Sequence, residues 1–260
     1  MLSELEISGD HHAFDPDTIA GAHTRRAVQR AAGAAVAATE AVMRGEARAA
    51  FCAIRPPGHH ATRDAVMGFC FYNNVAVAAR HALDVLGLQR VAIIDFDVHH
   101  GNGTEDIIAG DERVLMASFF QHPLYPGSGT VPKGTNMINL PVPPYTRGPE
   151  IRSLIEANWM PRLEAFAPQM VFISAGFDAH REDELGQLGL VEADYEWLTQ
   201  RVKGSPTATR KGASCRAWRV AITLALWHAA SRPICGCWPR SSSFAASGAL
   251  TAILQSYASR

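Results

Sequence analysis

Asp-Phe-Asp-Val-His-His-Gly-Asn-Gly, residues 95–103, is the stretch of sequence that decides the fold class. It follows Val-Ala-Ile-Ile, residues 91–94, an apolar run that is typical of a buried strand in a parallel sheet. Sites in open α/β sheets form at the carboxyl ends of strands. Because side chains alternate along a strand, we expect Asp95, Asp97 and His99 to share one face and to form a cation site. The alternative, a solvated polar loop, is less favoured because the carboxylates are interleaved with apolar residues.

Two further segments place polar side chains after apolar runs. Residues 51–61 run from a short apolar strand through a Pro-Gly turn to the adjacent His59 and His60. Residues 170–180 contain a second apolar run, which ends in small residues and Asp178. The carboxyl ends of parallel strands meet at one edge of a sheet, so the three segments are predicted to converge.

The converging groups predict a catalytic zinc site. Buried carboxylates need a metal ion or a proton partner, because burying them unpaired is costly. A catalytic zinc typically keeps three protein ligands and one position for water, and Asp97, His99 and Asp178 would be the three ligands. His60 would then take a proton from the water, a task that suits a neutral imidazole with its pKa near the operating pH.

The chain resembles the zinc-dependent histone deacetylase family, in the bacterial class II-like branch that includes acetylpolyamine amidohydrolases. The resemblance covers roughly residues 13–201 and is carried by five runs in the family's order and spacing. These are Arg55-Pro-Pro-Gly-His-His60-Ala, Gly68-Phe-Cys-Phe-Tyr-Asn73-Asn, residues 95–103, Tyr125-Pro-Gly-Ser-Gly129 and Ser174-Ala-Gly-Phe-Asp178-Ala-His. The resemblance implies an arginase-like, three-layer α/β/α fold with an open, mostly parallel sheet. It also implies hydrolysis of acetyl-lysine or acetylpolyamine-type amides.

The resemblance assigns catalytic roles to matching residues, and its zinc ligands coincide with the three inferred above. His59 and His60 match the tandem histidines beside the attacking water. Asp95 matches the carboxylate that orients the first histidine, and Asn102 stands where the partner of the second histidine lies. A neutral Asn would leave His60 less basic than an Asp would.

The same resemblance implies a substrate passage and a second cation. Phe69 matches one aromatic wall of the acyl-lysine tunnel and Tyr125 the other, while Gly68 lets the substrate pass close to the backbone. Asp17 matches the rim carboxylate that holds the substrate amide. The family also binds K⁺ near four residues, partly through backbone carbonyls. Here these are Asp95, Asp97, His99 and Ser118.

One expected element is missing from the sequence. The family uses a tyrosine in a Glu-Gly-Gly-Tyr segment to stabilise the tetrahedral oxyanion, and this chain has no Gly-Gly-Tyr. Its tyrosines, all in other contexts, are Tyr72, Tyr125, Tyr145, Tyr195 and Tyr257.

The composition changes at residue 202. All 25 acidic residues precede it, whereas residues 202–260 contain eight Lys or Arg, three of the five Cys and three of the five Trp. The charge is therefore −9 before this point and +8 after it. A basic tail can be an arm for nucleic acid or membrane, but the sharper hypothesis is a change of reading frame. In the neighbouring frame residues 212–223 can encode a string that ends Leu-Glu-Gly-Gly-Tyr-Asn.

The expected tyrosine would then straddle Ala221 and Ile222. We therefore expect the anomalous tail, residues 202–260, not to form the family's closing strand and helix. The apolar surface exposed in this way would favour self-association, so a homo-oligomer is left open. The amino end is likewise expected to be truncated, because residues 1–10 match nothing in the family. His11 and His12 are either a second metal site or, more simply, a solvated pair.

The sequence has no secretory signal and no run long enough to span a membrane. Its five cysteines lack paired spacing, which indicates free thiols in a reducing cytoplasm. We therefore expect a cytoplasmic protein whose partner is an acetylated lysine or amine, without nucleic acid or membrane partners.

The length allows a single α/β domain over residues 1–260 with a substantial core. Apolar strands alternate with amphipathic segments, which predicts a parallel sheet with helices on both faces. Helices are predicted near 18–44, 74–86, 103–109, 148–166 and 191–201. Strands are predicted near 51–54, 91–95, 114–118 and 171–174, and residues 141–144 are predicted to be a loop.

Three classes of function remain open. The first is an active deacylase-type amidohydrolase, and the second is a zinc-binding relative that is catalytically impaired because it lacks the oxyanion-stabilising tyrosine. The third is an arginase-like binuclear enzyme. A second metal in such an enzyme would need more Asp ligands, and His60 and Asn102 do not provide them.

Overall fold

The structure, a computed structural model, describes residues 11–203 and 219–225. The strands are β1 (His11–Ala13), β2 (Ile19–Gly21), β3 (Ala49–Ile54), β4 (Val91–Asp95), β5 (Val114–Gln121), β6 (Met137–Val142), β7 (Met170–Ala175) and β8 (Arg219–Ala225). The helices are α1 (Thr24–Met43), α2 (Asn74–Asp84), α3 (Asn102–Ile108), α4 (Gly148–Leu154), α5 (Met160–Phe166) and α6 (Glu192–Val202), and a π-helical turn, Ile155–Trp159, joins α4 to α5. None of the described helices combines the length and apolar character needed to cross a bilayer.

Six strands form one parallel sheet in the order β3-β8-β7-β4-β5-β6, and β1 and β2 form a separate antiparallel hairpin. Alternate residues of β4 face opposite layers of helices. Val91 and Ile93 pack with residues of α1, α2 and α3, whereas Ala92 and Ile94 pack with residues of α4, α5 and α6. The fold is therefore the predicted three-layer α/β/α arrangement around an open parallel sheet.

Most predicted helices and strands are present, and their ends lie within a few residues of the predicted ones. Two predictions differ from the structure. The predicted helix near 18–44 begins only at Thr24, because residues 19–21 form the second strand of the hairpin. Residues 141 and 142, predicted to be a loop, belong to β6. This strand lies at the edge of the sheet, where Pro141 leaves no required hydrogen bond unmade.

Residues 219–225 differ from the expectation for the anomalous tail, because they form β8. This strand pairs in parallel with β3 on one side and β7 on the other. Its sequence, Arg-Val-Ala-Ile-Thr-Leu-Ala, is an apolar run that suits a central parallel strand. Without it β3 and β7 would each present an unpaired edge. The helix that the tail was expected to lack falls outside the described residues.

Candidate active site and metal centre

Three side chains at the carboxyl edge of the sheet form a compact cluster. Asp97 and His99 follow β4, and Asp178 follows β7. Their ligand atoms all lie within 4.8 Å of one another. Nδ1 of His99 is 2.9 Å from Oδ1 of Asp97 and 3.0 Å from Oδ2 of Asp178. The structure thus brings together the three residues that the sequence predicts as metal ligands.

The cluster arises from turns and not from strand alternation, which corrects the predicted reason for its geometry. β4 ends at Asp95, so Asp97 and His99 lie on the loop beyond the strand. The amide of Asp97 donates to Oδ1 of Asp95 (3.2 Å), and the amide of His99 donates to Oδ1 of Asp97 (2.8 Å). The amide of Val98 donates to Oδ1 of Asp178 at 2.9 Å and so ties the two strand ends together.

The donor set fits a zinc ion. One imidazole nitrogen and two carboxylate oxygens are ligands that zinc accepts in catalytic sites. Both carboxylates are buried, and burial together with the charge of Asp97 raises the pKa of Asp178 to about 6. A cation between two buried like charges is therefore stabilising. Gly176 keeps the space free, because a Cβ there would overlap the Asp97 carboxylate.

The tandem histidines lie beside this cluster with different partners. Nδ1 of His59 is 3.1 Å from Oδ2 of Asp95, and Nδ1 of His60 is 2.8 Å from Oδ1 of Asn102. Because those oxygens only accept, each Nδ1 donates, and Nε2 of His60 is left as the acceptor of its ring. We call His59, His60 and the three residues of the cluster the floor of the site.

The surroundings shift the pKa values of the two histidines in opposite directions. Burial alone would lower the pKa of His59, but the carboxylates of Asp97 and Asp95 outweigh burial and raise it to about 9. Burial lowers the pKa of His60 well below its ordinary value, and the charge of His59 lowers it further. The arrangement therefore keeps His60 neutral and able to accept a proton.

Tyr125 and Gly68 lie against the His60 ring of the floor, and Phe69 follows Gly68 in the chain. Phe69 is 37% exposed and Tyr125 is 42% exposed. The Tyr125 ring meets that of His60 edge-on, with 5.0 Å between centroids. Gly68 has φ +55°, and a Cβ there would come within 2.5 Å of the His60 ring, so this position requires glycine. We call these residues, together with Asp17, the rim.

Asp17 lies on the turn between β1 and β2, and with Phe69 it lines an open groove beside the site. Burial raises the pKa of Tyr125 to about 12, and the charges of Asp15 and Asp17 contribute. The predicted rim carboxylate is therefore on the same side of the site as both aromatic residues.

A buried network that the sequence did not reveal holds the loop of Tyr125. Nδ1 of His100 is 2.9 Å from Oγ of Ser128, and Nε2 is 3.2 Å from Oε2 of Glu105. Gly129 packs so closely on the His100 ring that a Cβ would come within 2.6 Å of it. His100 is recognisable in the sequence, but nothing there indicates that its partners are Ser128 and Glu105.

A second contact missed by sequence reasoning involves the hairpin. The amide of Phe69 donates to Oγ1 of Thr18 at 3.0 Å, and that hydroxyl donates to Oδ2 of Asp15 at 3.0 Å. The hairpin strands have three residues each, too short for a periodic pattern to predict them.

The residues predicted to hold K⁺ lie at the end of β4, on the loop that follows it, and within β5. Ser118 is opposite Asp95 in the strand register. Its Oγ is buried and has no hydrogen-bond partner among the described residues. His11 and His12, in contrast, are exposed on β1, and within the described ranges no third metal-ligating side chain joins them.

Comparison with known proteins gives consistent matches. Residues 2–214 match the Histone deacetylase domain family, a longer match than residues 13–201 predicted from the motifs. Residues 1–10 were expected to match nothing, and this match corrects that expectation for residue 2 onward. A probable deacetylase of Archaeoglobus fulgidus is 39% identical over 194 residues, which is 72% of this chain and 53% of that protein.

Two solved structures are also similar. The HDA15 HD domain has a TM-score of 0.75 and 32% identity over 83% of this chain and 62% of its own. An acetylpolyamine aminohydrolase from Burkholderia pseudomallei has a TM-score of 0.70 and 32% identity over 82% and 60%, respectively. The chain spans about half the length, or less, of the curated relatives that it matches.

Proposed function

The chain belongs to the histone deacetylase family, and from this premise we propose that it is a zinc-dependent amidohydrolase. Its substrates would be acetyl-lysine or acetylpolyamine-type amides. The observation that carries the proposal is the cluster of the buried Asp97 and Asp178 with the half-buried His99, beside the neutral His60. A cytoplasmic location is part of the proposal and rests on the unpaired spacing of the cysteines.

Asp97, His99 and Asp178 would hold the zinc ion. When bound, zinc supplies Lewis-acid polarisation of the amide carbonyl and makes a water molecule more acidic. The remaining steps belong to side chains of the chain itself.

His60 is proposed as the general base. Its Nδ1 proton is fixed on Oδ1 of Asn102, so Nε2 accepts the proton of the attacking water. His59 donates to Asp95, and its pKa is raised, so it would carry a positive charge. This charge would stabilise the negative charge that develops on the substrate. The two adjacent histidines thus divide the base and electrostatic roles.

The rim is proposed to seat the acyl-lysine chain. Phe69 and Tyr125 would flank its methylene groups, and Gly68 would leave room for it beside the His60 ring. Asp17 would accept a hydrogen bond from the substrate amide. The buried Oγ of Ser118, which has no hydrogen-bond partner in the described part of the chain, supports a proposed K⁺ site that includes Asp95 and backbone carbonyls of the loop after β4.

The oxyanion donor is the one catalytic group for which the chain has no match. Its tyrosines lack the Gly-Gly-Tyr context, and one oxyanion donor typically contributes about 10²–10³ in rate. We therefore expect slow hydrolysis. Continuing the chain in the neighbouring reading frame before Ser205 should raise deacetylation of an acetyl-lysine peptide at least roughly 10²-fold. Equal rates for the two chains would show that the missing tyrosine does not limit this enzyme.

The proposal is tested by following acetate release from an acetyl-lysine peptide and from N-acetylputrescine. The purified protein is assayed as isolated, after removal of metal with a chelator, and after addition of zinc. We expect release from at least one substrate, its loss after chelation and its return with zinc. No release from either substrate by the zinc-loaded protein, or release that survives complete removal of metal, would overturn the proposal.

A further inference from the structure

We infer that Thr18 is a positioning residue for the rim, because it holds the backbone of Phe69 and thereby places one wall of the substrate passage. The inference rests on the proposed function for its catalytic consequence. Its structural part stands on the contacts of the hairpin and can be tested without any activity.

The rim segment is a tight turn in an unfavourable backbone conformation. Met67 and Cys70 exchange two backbone hydrogen bonds, from the amide of Met67 at 3.2 Å and from the amide of Cys70 at 2.9 Å. Gly68 and Phe69 are therefore the two central residues, with φ values of +55° and +64°. Turns with two positive φ values favour Gly or Asn, and a Cβ in this region is disfavoured. Phe69 keeps this conformation only if its surroundings fix it.

Thr18 provides a fixed acceptor for the outward amide of this turn. The amide of Phe69 donates to Oγ1 of Thr18 at 3.0 Å. The hydroxyl in turn donates to Oδ2 of Asp15 at 3.0 Å, so a lone pair of Oγ1 is directed at Phe69. Thr18 is completely buried. Removing its hydroxyl would therefore take this partner from the Phe69 amide and leave no polar atom of the residue 18 side chain to replace it.

The hairpin that carries Thr18 is itself fixed to the segment it positions. The amide of Phe14 donates to the carbonyl oxygen of Thr18 at 2.9 Å. The Phe14 ring meets the Phe71 ring edge-on, with 5.9 Å between centroids. Ala20, Val28 and Phe71 form a small apolar cluster beneath. The turn at Phe69 is thus held at its amide by Thr18 and, two residues later, by its packing against the hairpin.

Thr18 does not need to touch the substrate to affect its binding. Phe69 and Tyr125 are the two aromatic side chains proposed to flank the acyl-lysine chain, and Tyr125 is held separately through the His100 network. Loss of the Thr18 hydroxyl would loosen the Phe69 backbone and leave the His100 network of Tyr125 unchanged. The floor, which lies on other loops, would keep its geometry, so KM should rise while kcat and metal content change little.

The test compares Thr18→Val, which removes the hydroxyl at nearly constant volume, with Thr18→Ser, which keeps it. For an acetyl-lysine peptide we expect Thr18→Val to raise KM about tenfold, the scale of one lost hydrogen bond. Thr18→Ser should stay within about twofold of the parent protein, because it rescues the contact. In a Phe69→Ala background Thr18→Val should add nothing to KM, since Thr18 is inferred to affect the substrate only through the Phe69 ring. An equal effect of Thr18→Val with and without the Phe69 ring would overturn the inference.

A second measurement does not depend on catalysis. Amide hydrogen exchange of Phe69 should become at least about tenfold faster in Thr18→Val and stay unchanged in Thr18→Ser. If the parent protein released no acetate, the proposed function would fail while this measurement still decided the role of Thr18. Unchanged exchange at Phe69 in Thr18→Val would overturn the inference. Thr18→Ala, which cannot overpack the site, replaces Thr18→Val if the valine variant does not fold.

Discussion

The floor and the rim of the site are built in opposite ways. The floor consists of side chains that follow β3, β4 and β7 on one edge of a buried sheet, and its carboxylates are almost inaccessible. The rim consists of partly exposed residues on a tight turn, a loop and a hairpin. The neighbouring strands β4 and β7 bring the three cluster residues together directly, and β3 carries the two histidines from the other side of β8. The rim depends on contacts between distant segments, such as the one between Thr18 and Phe69, 51 residues apart.

This difference indicates that the chemistry and the substrate fit of the site are separately adjustable. Changes to the floor should lower the metal content or kcat. Changes to the rim should raise KM and leave kcat nearly unchanged. Substitutions in the floor and in the rim should therefore have different effects.

The largest effect is expected for Asp178→Asn. Replacing a ligand should weaken zinc binding by more than about 100-fold, because residues that only support ligands already contribute about 10–100-fold. Elemental analysis after dialysis measures the loss. Glu184→Gln, an exposed carboxylate further along the same loop, is the matched control and should retain zinc. Zinc retained in an Asp97→Ala and Asp178→Ala double variant would contradict the assignment of the metal ligands.

Next in size is the loss of the base. His60→Ala should lower hydrolysis by about 10²–10⁴-fold while sparing metal content, because general-base catalysis has this scale. The matched variant His59→Ala should be less severe, since His59 is expected to act through its charge. Steady-state rates and zinc content of the two variants, measured side by side, provide the check. An unchanged rate in His60→Ala would show that another group takes the proton.

A smaller change is expected from Asn102→Asp, which puts a negative partner on Nδ1 of His60. A neighbouring negative charge stabilises the protonated imidazole and raises its pKa by about 1 to 3. Because the base acts in its unprotonated form, activity on the acid side should then be lost at a higher pH than in the parent. The pH profile of kcat/KM measures this, with the exposed Asn158→Asp as the control. A shift to lower pH, or none, would contradict the role given to Asn102.

The smallest effect is expected at the rim. Tyr125→Ala should raise KM by roughly 2- to 12-fold, the scale of one aromatic contact, and change kcat little. Tyr125→Phe should resemble the parent because it keeps the ring. Tyr145→Ala, at a 74% exposed tyrosine outside the site, controls for the loss of an aromatic ring. A fall in kcat with constant KM in Tyr125→Ala would show that Tyr125 acts on the chemistry and that the rim is not separate from the floor.

The sequence predicts the floor because each of its residues follows an apolar run that is typical of a strand in a parallel sheet. Asp97 and Asp178 could be brought together from the topology alone, although turns and not strand alternation set the positions of Asp97 and His99. The rim could not be derived in this way. The contact of Thr18 with Phe69 depends on a hairpin whose strands are too short to show a periodic pattern. The position of β8 is set by its pairing with β3 and β7 and not by the residues next to it in sequence.

The position of β8 has a consequence for the order of events during synthesis. The ribosome delivers this strand after all the other described strands, yet in the sheet it stands between β3 and β7. Until it inserts, no sheet hydrogen bonds in the described part of the chain join the strand before His59 and His60 to those before Asp97 and Asp178. Closing such a long-range gap is slow compared with local folding. The nascent chain should therefore bring His59 and His60 beside the proposed metal ligands only after β8 has joined the sheet.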